Sequence, residues 1–146
     1  MSADNESNFH ILIVDDDPGD VELIKLALQE ARLLCTASVA NNGEEAMAFL
    51  RQQPPYADQP VPDLVLLDLN MPRKNGKEVL AEMKDDLGLS TIPVVVLTTS
   101  DTERDVVASY QLGAAGYVVK PVDIDELINI IRGIGNYWFS VVRLPA

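Results

Sequence analysis

At 146 residues with 47% hydrophobic content, the chain suits one compact domain with a real core. Its formal charge of −12, from 23 acidic against 11 basic residues, argues against a phosphate-neutralising face, so direct nucleic-acid contact is not expected. Cys35 is the single cysteine and can form neither an internal disulfide nor a thiolate cluster; with no signal segment and no window near the roughly 18 apolar residues of a membrane span, the expectation is a soluble cytoplasmic protein.

Residues 1–8 are expected to be a flexible N-terminus. "HILIV" (10–14) then reads as a strand with no polar face, as befits one covered on both sides of a sheet. It stops at Asp15, Asp16 and Asp17. In "DPGDVELIKLALQEA" Asp17 can cap a helix, Pro18 fits the first helical position, and Asp20 and Glu22 suit the positive helix end. "TASVA" (36–40) is a shorter strand, "NNG" a turn, and "GEEAMAFLRQQ" (43–53) a helix with Ala46, Met47 and Leu50 toward the core. "PPYADQPVP" carries Pro54, Pro55, Pro60 and Pro62 and is a loop. Next come strand "DLVLL" (63–67), a helix over about 76–85, strand "PVVVL" (93–97), a helix over about 102–111, strand "GYVV" (116–119) and a helix from about 123 to 136. Strand followed by helix, repeated through the chain, predicts an α/β fold: a five-stranded, doubly wound parallel sheet with right-handed crossovers, in a domain over 9–136.

In such a sheet ligands bind outside the carboxyl ends of the strands. Strand one ends in Asp15 and Asp16, strand three in Asp68, strand four in Thr98 and strand five in Lys120, so topology alone brings these groups to one edge. Close carboxylates repel unless a cation sits among them, and an all-oxygen set with room for water and phosphate suits Mg²⁺, a hard ion. Thr98 and Lys120 would stabilise a phosphoryl oxygen. Asp68, mounted on the apolar run "LVLL", would be the nucleophile that forms an acyl phosphate.

"VDDD", "LLDLNMPRKNG", "VVVLTTS" and "GAAGYVVKP" resemble the signature blocks of the receiver domain of two-component response regulators, over residues 9 to 135. The resemblance implies the flavodoxin-like, CheY-like receiver fold and a sensor histidine kinase whose phosphohistidine donates to Asp68. It further implies Mg²⁺ (or Mn²⁺) ligated by Asp16, Asp68 and the Asn70 backbone carbonyl, with Asp15 acting through water. Thr98 and Lys120 would contact the phosphoryl group, Lys120–Pro121 would be a cis bond, and Tyr117 would be the aromatic that switches together with Thr98. "LNMPRKNGKEVLAEMK", the Pro-rich insert and the tail "GIGNYWFSVVRLP" are further similar to the small stand-alone regulators of cyanobacterial-type phytochromes. That would make the kinase phytochrome-type.

Residues 137–146 form an apolar tail. Tyr137, Trp138, Phe139, Val141 and Val142 either fold back on the core or continue the last helix and present an apolar surface to a second copy or to the kinase, with a homodimer expected from the first of these partners. His10 reads as capping a sheet edge, and Arg73, Lys74 and Lys77 as a solvated helix start. With no second domain expected after residue 146, output would be protein–protein contact, dimerisation or phosphotransfer onward, and the chain would be a signalling protein that catalyses only its own phosphorylation and dephosphorylation. The alternatives are a pseudo-receiver that only binds partners and an aspartyl-nucleophile phosphohydrolase. Dehalogenase-like phosphohydrolases need an acid two residues after the nucleophile, where this chain has Asn70, and an amide cannot be a general acid.

Overall fold

The computed structural model describes residues 9–141, with side chains through residue 138. Five parallel strands, β1 (Phe9–Val14), β2 (Cys35–Ala40), β3 (Leu64–Leu67), β4 (Val94–Thr98) and β5 (Gly116–Val119), form one sheet in the order β2-β1-β3-β4-β5. The helices are α1 (Pro18–Glu30), α2 (Gly43–Leu50), α3 (Gly76–Asp85), α4 (Glu103–Gln111) and α5 (Ile124–Gly135). The predicted doubly wound fold is therefore the observed one.

Alternation along the strands explains the two-sided core. Leu12, Val14, Val65, Leu67 and Val96 pack with Met47, Leu50, Val79 and Leu80 on one face of the sheet. Ile11, Ile13, Leu64, Leu66, Val95 and Leu97 pack with Ile24, Leu28, Leu127 and Ile131 on the other. A strand covered on both faces has no polar face to show, which is why β3 and β4 are buried at every position.

The chain order reverses between β1 and β3, which are hydrogen-bonded neighbours in the sheet. Crossovers leave this point in opposite directions, so a crevice opens outside the strand ends. Backbone pairing runs past the strands and fixes what stands there. Asp15 N–H donates to the Ala40 carbonyl at 3.0 Å, Asp68 N–H to Val14 at 2.9 Å, and Lys120 N–H to Thr98 at 2.7 Å.

Three local expectations are corrected. Helix α2 ends at Leu50, short of residue 53, because Arg51 caps it and Gln52 takes a left-handed conformation, φ 54°, before the prolines. Lys120–Pro121 is trans, and the described cis bond lies at Pro54–Pro55; trans is the lower-energy isomer by about 0.5–1 kcal/mol, and Lys120 reaches its partners from it. His10 lies within β1, where its backbone N–H donates to Asp63 Oδ2 at 2.8 Å.

The tail divides the two readings offered for it. The last helix continues as a π-helical stretch, Asn136–Val141, so the chain does not turn back at Gly135. Trp138 nevertheless packs against the α1–α5 side of the core, while Tyr137 meets it edge-on and stays half exposed. The side chains of Phe139 and Val141, and all of Val142, lie outside the described residues, as do residues 1–8.

Candidate functional site

The site is assembled from the loops that follow β1, β3, β4 and β5. After β1, Asp17 caps α1 by accepting from the Gly19 and Asp20 amides. Its own amide donates to Asp15 Oδ1 at 2.9 Å, which holds the buried Asp15 carboxylate at the strand end. Asp16, between them, is exposed.

After β3, the chain must turn sharply into α3. Asn75 and Glu78 form a capping box at the helix start. Gly76 is required there by closeness: a Cβ on it would stand 2.4 Å from the Asp68 carbonyl oxygen. Helix α3 is thus seated directly against the backbone of Asp68, whose side chain is 9% exposed.

Both oxygens of Asp68 meet donors. The hydroxyl of Thr98, itself fully buried, donates to Oδ1 at 2.7 Å, and the Asn70 amide approaches the same oxygen at 3.4 Å. Lys120 Nζ lies 3.7 Å from Oδ2, while it donates to Asp15 Oδ2 at 2.7 Å and to Asp20 Oδ2 at 2.8 Å. One ammonium therefore ties three carboxylates. Burial alone would lower the Lys120 ammonium, but the bonds from Asp15 and Asp20 outweigh it and hold the group charged above its ordinary range. Burial raises Asp15 above the usual carboxylate range, and the Lys120 bond offsets this only in part.

That residual cost marks a place for more positive charge. Asp15, Asp16 and Asp68 each offer an oxygen, and these lie within 4.8 Å of one another. An all-oxygen set open to solvent through Asp16 fits a hard divalent ion, so the cluster can bind one. Its chemistry when bound is to neutralise charge on neighbouring oxygens.

Thr98, Lys120, Asp15, Asp16 and Asp68 are therefore brought together as expected. Tyr117 is half-buried and donates its hydroxyl to the Ser100 carbonyl at 2.8 Å. Sequence reasoning missed three contributors. Asp20, read only as a first-turn acid, binds Lys120; its place one turn after the Asp17 cap was the available signal. Lys77, read as solvated, pairs with Asp105, and Asp105 also accepts from the Ser100 hydroxyl. These bonds, Lys77 first, hold Asp105 below the usual carboxylate range. The neighbouring cations are also engaged: Lys74 with Glu82 and Arg73 with Glu44.

The family described as the response regulator receiver domain matches residues 11–132. Response regulator Rcp1 of Synechocystis sp. is 42% identical over 146 residues, covering 100% of this chain and 99% of its own. Among solved structures, the phosphorylated cyanobacterial phytochrome response regulator RcpA is 43% identical, with a TM-score of 0.89 over 95% of this chain and 99% of its own. The Mn²⁺-bound form of Rcp1 is 43% identical, with a TM-score of 0.86 over 94% of this chain and 99% of its own. None of the described helices is long and apolar enough to cross a membrane.

Proposed function

Because this chain belongs to the response regulator receiver domain family and is related along its length to the regulator Rcp1, we propose that Asp68 accepts a phosphoryl group from a sensor histidine kinase of the phytochrome type. The single observation that carries the reading is the state of that carboxylate. It is buried on a rigid strand end, with the Thr98 hydroxyl on one oxygen, the Lys120 ammonium near the other, and two further carboxylates within shared-ion reach. The known relative RcpA, solved in phosphorylated form, supports the same chemistry.

In the transfer, an Asp68 oxygen bonds to the phosphorus of the donor phosphoramidate. The P–N bond breaks, its electron pair stays with the imidazole nitrogen, and an acyl phosphate remains on Asp68. Lys120 neutralises charge on the phosphoryl oxygens and the Thr98 hydroxyl donates to one of them. Asp16, Asp68 and the Asn70 carbonyl would hold Mg²⁺ or Mn²⁺, with Asp15 acting through water. The phosphoryl group adds roughly −1.5 to −2 charge. Thr98 and Tyr117 would pass the change to the α4–β5 surface, and output would be protein–protein contact in the cytoplasm. The tail would serve a homodimer through Tyr137, Phe139, Val141 and Val142, with Trp138, which packs on the chain's own core, anchoring it. The chain is a signalling protein whose catalysis extends only to gaining and losing its own phosphoryl group.

Transfer from a radiolabelled, autophosphorylated phytochrome-type kinase tests the reading. Label should pass within seconds to the wild type and not to Asp68→Asn. Acceptance of label by Asp68→Asn would overturn the acceptor, and refusal by a wild type that still accepts from acetyl phosphate would overturn the partner.

A further inference from the structure

We infer that Lys77 and Asp105 are positioning residues for Thr98: through Ser100 they fix the segment after β4 and so set how fast Asp68 gains its phosphoryl group. The inference rests on the reading of Asp68 as phosphoacceptor. Thr98 is the last residue of β4, and its hydroxyl is useful at Asp68 only if the backbone that follows is held still.

Four residues, 99–102, join β4 to α4, and Asp105 grips them twice. Its carboxylate accepts from the Ser100 hydroxyl, and its amide donates to Thr102 Oγ1 at 3.2 Å. The Ser100 carbonyl is held from the other side by the Tyr117 hydroxyl. A cap needs only the Thr102 bond, and a first-turn acid already suits the helix dipole, so helix formation accounts for neither the Ser100 contact nor Lys77.

Lys77 closes the circuit. It comes from the first turn of α3, next to Gly76, which abuts the Asp68 carbonyl and donates its N–H to Leu69 at 3.0 Å. The chain of contacts therefore runs from Asp68 along its own loop to Lys77, across to Asp105 and Ser100, and back through Thr98 to Asp68. It rings a cleft of about 400 Å³ lined by Leu69, Asn70, Met71, Asn75, Lys77 and Asp105. Neither Lys77 nor Asp105 belongs to the carboxylate cluster that fits a metal ion. Being held below the ordinary carboxylate range, Asp105 stays an ionised acceptor at neutral pH.

The test is the initial rate of phosphoryl gain from acetyl phosphate, read by intact mass over a Mg²⁺ titration. Lys77→Met, Asp105→Ala and Ser100→Ala should each slow the gain by about three- to tenfold, the size of a modest loss of alignment. Lys77→Arg should restore the wild-type rate. Asp105→Ala with Ser100→Ala should be no slower than either alone, and the Mg²⁺ concentration at half-maximal rate should not move. A merely structural role would give neither the charge rescue nor the non-additivity. Wild-type rates in all three variants, additive losses, or a rate loss wholly recovered by more Mg²⁺ would overturn the inference. A wild type that gains nothing would overturn the phosphoacceptor reading and the inference with it; a wild type that gains normally beside unaffected variants sinks the inference alone.

Discussion

Two clusters of cations and carboxylates in this molecule are alike in composition and different in setting. Lys120 binds Asp15 and Asp20 and lies near Asp68, with the Lys120 side chain 10% exposed and that of Asp15 2%. Arg51 binds Glu82 and Asp86, with its side chain 38% exposed and its partners each 32%. Water solvates every member of the second cluster, so its ion pairs replace hydration with little gain. In the first, strand ends force Lys120, Asp15 and Asp68 together where water reaches them poorly, and these three depend on one another, while Asp20 joins them from α1 with its side chain 32% exposed. The contrast teaches that burial, rather than the count of ion pairs, identifies charges assembled for chemistry.

The largest effect expected from breaking this contrast is at Lys120. Lys120→Ala leaves three carboxylates without their shared cation and should cost about 3–5 kcal/mol of stability, as loss of one partner from a buried pair does. Urea unfolding with and without millimolar Mg²⁺ would measure it, and part of the loss should return with the ion. Thr98→Val removes a buried hydroxyl that donates to a carboxylate, and should cost about 1.5–3 kcal/mol in the same assay. Arg51→Ala, by comparison, should cost less than about 1 kcal/mol and lose even that in high salt.

A pH scan sharpens the comparison further. The folded Lys120 holds its proton more tightly than its ordinary value of 10.5, so it contributes stability that is fully present below that value. That contribution is lost as pH rises through the higher folded value. Thermal melts between pH 8 and 12 should therefore fall more steeply in the wild type than in Lys120→Met.

The fold was legible because its signals are local. β3 and β4 are unbroken aliphatic runs bounded by turn residues, and Asp17–Pro18 announces a helix start within a few positions. The five converging groups were legible because parallel topology places every strand's carboxyl end on one edge, whatever the loops do. What escaped notice depends on helix-to-helix placement. The Lys77–Asp105 pair spans 28 residues and forms only because α3 and α4 stand side by side on one face of the sheet. The Asp20–Lys120 pair spans 100 residues and needs the reach of one long side chain across the crevice. The tail resisted for a different reason: Gly133 and Gly135 signal a helix end, yet packing of Trp138 on the core favours continuing the helix.

The most direct test of the central claim is intact mass after incubation with Mg²⁺ and acetyl phosphate, for the wild type and Asp68→Asn. A gain of one hydroxylamine-labile phosphoryl group in the wild type alone is the predicted result. An equal gain in Asp68→Asn, or none in either protein, would contradict it.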